Sequence, residues 1–168
     1  ELRARDMFGV EESLLTSWGH MIMKHPGGAA AQWHQDHAYW TPEYDYNALG
    51  CWLPMHDVTK EMGAMQFIPG SHKLGPLPHD PEGGHHLPFS EYPVESATPI
   101  PAEAGDVLFF NYLCIHGSGV NTSNEARTTL LIQFRDPDDE PLEDTHRSRG
   151  QGMMLRGINP KTGYTGLE

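Results

Sequence analysis

The sequence predicts an all-β protein with a double-stranded β-helix, or jelly roll, as its core and few short peripheral helices. Eighteen glycines and fourteen prolines punctuate the 168 residues, and the apolar stretches between them are mostly short. This pattern is typical of β-sandwiches and β-barrels. The length suits a single domain over residues 1–168, which can bury one apolar core without disulfides or a structural metal.

Four strand candidates occupy the first half of the chain. A mixed acidic and apolar segment over 6–18 precedes them and predicts one or two helical turns. Breaks that contain glycine or proline separate the candidates, and Pro69-Gly70 after the fourth suits the centre of a type II turn. The predicted strands are residues 18–23, 32–40, 47–56 and 64–68.

The second half begins with a long proline-rich excursion over 71–101, in which we expect one edge strand. Long loops on a rigid β scaffold often carry substrate contacts, so we expect this loop to flank the active site. Three further strands are predicted at 107–110, 113–116 and 127–134. Eight strands in this order suit the two packed sheets of a jelly roll.

Charge and composition narrow the classes of partner. The net charge is −12 and the eleven lysines and arginines are scattered, so no basic stripe predicts nucleic-acid binding. No apolar run has the length of a membrane span, and the N-terminal residues lack a signal-peptide core. Two cysteines in apolar runs fit a reducing compartment. We expect a cytoplasmic protein that does not bind membranes, and the sequence leaves its oligomeric state open.

The pair His34 and Asp36, with His116 eighty residues later, is the strongest chemical signal. Two imidazoles and one carboxylate form the facial triad, which binds iron(II) and leaves the other coordination positions open. Alternate residues of a strand share a face, so His34 and Asp36 would project together. His116 could meet them if the second and seventh strands lie close across the sandwich. The alternative for His116 is a hydrogen-bonded core histidine.

Arg127 lies eleven residues beyond His116 and begins the last predicted strand. Oxygen activation at iron(II) needs a second electron donor, and 2-oxoglutarate can chelate the metal while its distal carboxylate extends away. A guanidinium binds such a carboxylate through two parallel hydrogen bonds. A hairpin would return Arg127 alongside the metal-bearing strand, and Thr129 shares its face and can add a hydroxyl. The alternatives are a surface cation and an ordinary strand threonine.

The sequence resembles the phytanoyl-CoA dioxygenase family, and the resemblance spans roughly residues 20 to 136. Order and spacing of the motifs are preserved along the chain. The matching segments are residues 33–40 (WHQDHAYW), 63–73 (GAMQFIPGSHK), 105–110 (GDVLFF) and 116–127 (HGSGVNTSNEAR).

This resemblance implies an enzyme that uses iron(II), 2-oxoglutarate and oxygen. By position, His34, Asp36 and His116 would be the iron ligands and Arg127 the anchor of the distal carboxylate. The positions that line the cosubstrate pocket correspond to Trp40 and Ser118. Related halogenases have a small residue in place of the carboxylate, so Asp36 favours hydroxylation, with release of succinate and carbon dioxide.

Relatives in this family carry a longer N-terminal region that packs helices on the core. Little of it precedes the motifs here and no methionine begins the sequence, so we expect a truncated N-terminus. Before the first ligand, where a relative has a polar residue near the cosubstrate, this chain has Met23 and Lys24. We expect Lys24 to be an exposed lysine rather than a carboxylate ligand.

The substrate is the least defined part of the prediction. Tyr39 and Trp52 are the candidate substrate contacts, although aromatic residues in strands are more often core. Because few basic residues lie near the proposed mouth, we expect a small molecule rather than a large acyl-CoA. Two alternatives remain open, namely a catalytically silent jelly roll that binds a metal or ligand, and a cupin-type metalloenzyme. Cupins usually present His-x-His and a later glutamate.

Overall fold

The computed structural model describes residues 14–39, 48–80, 86–88, 91, 97–135 and 154–156. Nine strands and two short 3-10 helices, Asp36–Tyr39 and Ser71–Leu74, lie in these residues. The strands are β1 (Leu14–Lys24), β2 (Ala31–His34), β3 (Ala48–Pro54), β4 (Met65–Phe67), β5 (Thr98–Ile100), β6 (Leu108–Asn111), β7 (His116–Ser118), β8 (Arg127–Arg135) and β9 (Met154–Arg156).

The strands form two antiparallel sheets. One has five strands in the order β6-β3-β8-β1-β9, and the other has four in the order β2-β7-β4-β5. Side chains of both sheets meet in a shared core, so the prediction of an all-β, double-sheet fold with few short helices is confirmed. No helix among the described residues is long and apolar enough to cross a membrane.

The main apolar core lies between the two sheets. Trp52 of β3 and Phe110 of β6 come from the five-stranded sheet, and Met65 and Phe67 of β4 come from the four-stranded sheet. Gly50 makes room for the Phe110 ring, because a side chain there would bring its Cβ within 2.7 Å of three ring carbons. The main core is therefore built from side chains of both sheets.

A second apolar cluster covers the other face of the four-stranded sheet. Trp33 of β2 packs there with Leu87 and Ile115, and the Leu87 amide donates to the Trp33 carbonyl. Successive residues of a strand point to opposite faces. Burial of Trp33 beneath the excursion therefore directs its neighbour His34 into the sandwich.

The predicted strand over 32–40 is wrong in its second half. The strand ends at His34 and a 3-10 helix begins at Asp36. The amide of Asp36 donates to the Tyr112 carbonyl, at 2.9 Å, and the amide of Gln35 donates to His79 Nε2. These partners remove both amides from the sheet ladder, so the chain turns before Asp36.

Two other predicted boundaries also differ. The strand expected at 113–116 begins only at His116, because the amide of Ile115 donates to the Ser71 hydroxyl instead of a neighbouring strand. The first strand begins at residue 14, within the segment predicted to be helical, whose residues 6–13 lie outside the described part. The excursion contains the expected edge strand, β5, which pairs only with β4. The division into one domain stays a prediction.

Candidate metal centre

His34 and His116 lie directly opposite each other on neighbouring strands. They are register partners in the antiparallel pair β2–β7, and residues opposite each other in such a pair project from the same face. Their ring centroids are 4.3 Å apart. We expected these strands to meet across the sandwich, whereas they are adjacent within the four-stranded sheet.

Asp36 completes the cluster from the first residue of the 3-10 helix. Its Oδ1 lies 3.5 Å from His34 Nε2 and 3.3 Å from His116 Nε2. One ligand atom from each residue lies within 4.8 Å of the others. We expected strand alternation to place Asp36 on the same side as His34. Instead, the turn after His34 brings the carboxylate to the same side as both imidazoles.

Backbone carbonyls fix the state of both imidazole rings. His34 Nδ1 is 2.6 Å from the Gln32 carbonyl oxygen, and His116 Nδ1 is 2.8 Å from that of Cys114. A carbonyl oxygen can only accept, so each Nδ1 donates a hydrogen, and Nε2 is the nitrogen that a metal can bind once it carries no proton. Two imidazole Nε2 atoms and one carboxylate suit a divalent transition metal.

Gln133 of β8 holds the second oxygen of Asp36. Its Nε2 donates to Asp36 Oδ2 at 3.0 Å, and both side chains are buried. One carboxylate oxygen thus faces the imidazoles while the other is fixed by the opposite sheet. Sequence analysis missed Gln133; the signal was a lone amide within the apolar run Leu130–Phe134.

The charges in the cluster favour an ionised Asp36. Burial opposes its charge, but His116 and then His34 outweigh it and hold the pKa of Asp36 well below its usual value. Burial likewise opposes the charged form of His116, yet Asp36 raises the pKa of this imidazole above its ordinary value. The carboxylate is therefore available as an anionic ligand near neutral pH.

Aromatic rings border the cluster. Phe67, the register partner of His116 on β4, stacks on that ring with centroids 5.5 Å apart, and Phe110 lies 4.8 Å from it. The Tyr39 ring stands edge-on to His34 at 5.4 Å and is 42% exposed. Tyr39 thus lies where the site meets solvent, and the two phenylalanines form an apolar wall on the core side.

A second polar cluster contains two buried cations, Lys24 of β1 and Arg127 of β8. The two are register partners, with 8% and 3% of their surfaces exposed. Arg127 donates through a terminal nitrogen to the Gly63 carbonyl, and its buried Nε has no partner. Within the described residues, neither cation has a carboxylate at ion-pairing distance, so the fold supplies two buried positive charges and no counter-charge.

Two predictions about this cluster were wrong. Arg127 was expected alongside the metal-bearing strand but lies in the opposing sheet, because the chain crosses from one sheet to the other between β7 and β8. Lys24 was expected to be exposed. It is buried because β1 turns its side chain into the sandwich, where Nζ donates to Ser118 Oγ at 2.7 Å and to the Gly119 carbonyl at 2.6 Å.

Both cations are held in an environment that disfavours charge. Burial, and after it the positive charge of Arg127, lowers the pKa of Lys24 to about 8. Burial also lowers the pKa of Arg127 below its ordinary value. An anion placed between them would relieve both effects.

The remaining predicted site residues fall into three groups. Ser118 and Thr129 are buried near the two cations, and Thr129 Oγ1 lies 3.5 Å from the Ile22 carbonyl. Trp52 is 1% exposed and packs in the main core, which accounts for its burial, and a substrate role for it stays a prediction. Trp40 lies outside the described residues.

A jelly roll that carries two histidines and one aspartate at neighbouring strand ends defines the class of non-haem iron(II) oxygenase folds. The family model of phytanoyl-CoA dioxygenase matches residues 2–129. The chain belongs to this family, as its sequence motifs predicted.

Individual relatives agree with this assignment. The chain is 38% identical over 112 residues to the peroxisomal phytanoyl-CoA dioxygenase of Bos taurus, covering 61% of this chain and 33% of that protein. It is 30% identical over 135 residues to the methylphosphonate hydroxylase of Gimesia maris, covering 76% and 50%. The chain therefore spans a third to a half of these curated relatives.

A solved structure supports the same fold. EvdO2 from Micromonospora carbonacea var. aurantiaca, crystallised in complex with 2-oxoglutarate, superposes with a TM-score of 0.61 at 29% identity. The match covers 76% of this chain and 56% of EvdO2.

Proposed function

We propose that this chain is an iron(II)- and 2-oxoglutarate-dependent dioxygenase that hydroxylates a small molecule. The observation that carries the proposal is the convergence of His34 Nε2, Asp36 Oδ1 and His116 Nε2 on one point, with both rings in the metal-binding tautomer. Membership of the phytanoyl-CoA dioxygenase family supports it. So does the complex of EvdO2 with 2-oxoglutarate.

In this proposal His34, Asp36 and His116 hold iron(II), and Arg127 binds the distal carboxylate of 2-oxoglutarate. The hydroxyls of Ser118 and Thr129 are further contacts for the cosubstrate, as Trp40 is by position. Bound iron(II) supplies oxygen activation, in which 2-oxoglutarate is converted to succinate and carbon dioxide while a substrate C–H bond becomes C–OH. One oxygen atom of O2 enters succinate and the other enters the product.

The role of the protein is to position these groups and to exclude water. Gln133 keeps one oxygen of Asp36 directed at the imidazoles, and Phe67 and Phe110 close the core side of the metal centre. Because Asp36 fills the coordination position that a halogenase leaves open, we infer hydroxylation rather than halogenation. Tyr39, at the exposed rim, is the described residue best placed to contact substrate.

The experiment is an anaerobic titration of the chain with iron(II) and 2-oxoglutarate, followed by exposure to oxygen and measurement of succinate. We expect stoichiometric iron binding, a charge-transfer absorption when 2-oxoglutarate is added, and succinate formation that requires both. His116→Ala should abolish all three while retaining the fold. Iron binding without the absorption or any succinate, with and without candidate substrates, would instead identify a silent metal-binding jelly roll.

We also propose a cytoplasmic location and a small substrate rather than an acyl-CoA. A succinate-release screen over metabolite classes tests the second point directly. We expect small, uncharged or weakly charged molecules to stimulate succinate release. Stimulation only by acyl-CoA thioesters would overturn the substrate proposal but leave the metal centre intact.

A further inference from the structure

Lys24 is the one buried lysine of the described residues, and it lies on the inner face of β1. The opposite residue on β8 is Arg127, so two cations stand side by side on one sheet face. Like charges that face each other across a strand pair destabilise the sheet. The described residues keep this pair away from water and give it no carboxylate partner, which leaves a site for an anion.

The hydrogen bonds of Lys24 make the Ser118 hydroxyl a third donor at this site. Its ammonium group donates to Ser118 Oγ and to the Gly119 carbonyl. Because Ser118 Oγ accepts from Lys24, its own O–H hydrogen is free to donate to another acceptor. Lys24 has a third N–H, for which the described residues provide no acceptor. The Lys24 ammonium and the Ser118 hydroxyl are 2.7 Å apart, and Arg127 is the register partner of Lys24, so the three residues are neighbouring donors.

We propose that Lys24 is a second binding residue for the distal carboxylate of the cosubstrate, acting with Arg127 and fixing the Ser118 hydroxyl as a third donor. The inference rests on the proposed function, since it takes 2-oxoglutarate as the ligand. Its basis is the placement of the two cations and the direction of the hydrogen bonds.

A purely structural role for Lys24 is the competing explanation. The two hydrogen bonds clamp the turn after β7 to the end of β1, and Asn121 clamps the same region by donating to the Lys24 and Glu125 carbonyls. Because Asn121 already holds this region together, a structural role does not require the buried charge of Lys24 next to Arg127. Carboxylate binding explains both the charge and its neighbour.

The test compares two keto acids that differ only at the distal end. The first is 2-oxoglutarate, and the second is 2-oxopentanoate, which has a methyl group where 2-oxoglutarate has the carboxylate. Affinities are measured anaerobically in iron-loaded protein by the charge-transfer absorption, for the wild type and for Lys24→Met. The methionine keeps the length and apolar stem of lysine but removes its charge and donors. Lys73→Met, at an exposed lysine of the second 3-10 helix, is the matched control.

We expect Lys24→Met to weaken 2-oxoglutarate binding by about 10- to 100-fold, the range of a charge-assisted hydrogen bond converted to affinity. Binding of 2-oxopentanoate should change less than about twofold, and Lys73→Met should change neither. An equal loss for both keto acids, or no loss for either, overturns the proposal. If the wild type binds both keto acids equally, the assignment of Arg127 and the proposed function fail instead.

A second measurement covers the case in which Lys24→Met does not fold. The four lysines of the wild type are ¹³C-methylated and observed by NMR, and single substitutions of the other three assign the Lys24 signal. Saturation with 2-oxoglutarate should shift that signal and raise the titration midpoint of Lys24, whereas 2-oxopentanoate should not. The same response to both keto acids would contradict a contact with the distal carboxylate.

Discussion

Replacement of Gln133 by leucine removes the hydrogen bond to Asp36 Oδ2 while nearly conserving volume. The bond is 3.0 Å long, joins two buried side chains, and has a charged acceptor. Such bonds contribute about 1.5–3 kcal/mol, and about 1.4 kcal/mol corresponds to a tenfold change in an equilibrium constant. If Gln133 serves to hold Asp36 in its metal-binding orientation, Gln133→Leu should weaken metal binding by about 10- to 100-fold, as is typical when a ligand loses its outer partner.

The assay is an anaerobic competition between the protein and a chromophoric chelator for iron(II). Cobalt(II) can replace iron for an absorption spectrum that reports the coordination geometry. Gln66→Leu is the matched control, because Gln66 is a half-buried glutamine of β4 whose neighbours Met65 and Phe67 face the core. Unfolding by urea verifies that each variant is folded at the assay temperature. An unchanged affinity in folded Gln133→Leu, or an equal loss in Gln66→Leu, would refute the positioning role.

Three further outcomes are expected. Gln35→Leu should lower the free energy of unfolding in urea by about 2–4 kcal/mol, because the carbonyls of Gly75 and Leu113 and the amide of Leu77 lose their buried partner; a change below about 1 kcal/mol would contradict this. Manganese(II) at a hundred times its Kd should stabilise the fold by about 2.7 kcal/mol and raise the Tm by about 5–10 °C, an effect that a chelator reverses and that His116→Ala lacks. The affinity for 2-oxoglutarate should fall as the pH rises above about 8, because the depressed pKa of Lys24 means that its charge is lost there; calorimetric titrations from pH 7 to 9.5 should show this fall in the wild type and its absence in Lys24→Met.

The grouping of His34, Asp36 and His116 could be predicted from the sequence because these residue types form a recognisable set of metal donors. His34, Asp36 and His116 match a known donor set, and the two histidines lie in segments that any sheet would place at strand positions. The three side chains lie together as predicted, but the predicted cause was partly wrong. Strand alternation was expected to align His34 with Asp36, whereas the amides of Gln35 and Asp36 are taken by His79 and Tyr112 and the chain turns. Such long-range partners have no local sequence signature.

The roles of Gln133 and Lys24 could not be predicted from the sequence. Each is a common polar residue with no motif around it, and its significance comes only from the residue that it contacts across the sandwich. Gln133 is 97 residues from its partner Asp36, and Lys24 is 94 residues from its partner Ser118. Arg127 could be proposed because its distance from His116 matched a family pattern. Its place in the opposing sheet could not, since sequence spacing does not specify which sheet a strand joins.

The polar groups of the candidate site are divided between the two sheets. The two histidines of the candidate metal centre belong to the four-stranded sheet, and Lys24 and Arg127 belong to the five-stranded sheet. Packed sheets stand about 10 Å apart, and in the proposed binding mode the keto acid bridges the space that the side chains of the two sheets leave between them. A four-carbon analogue such as oxaloacetate would then end one methylene short of the cations. In that binding mode the spacing of the two sheets, together with the reach of these side chains, sets the chain length of the keto acid.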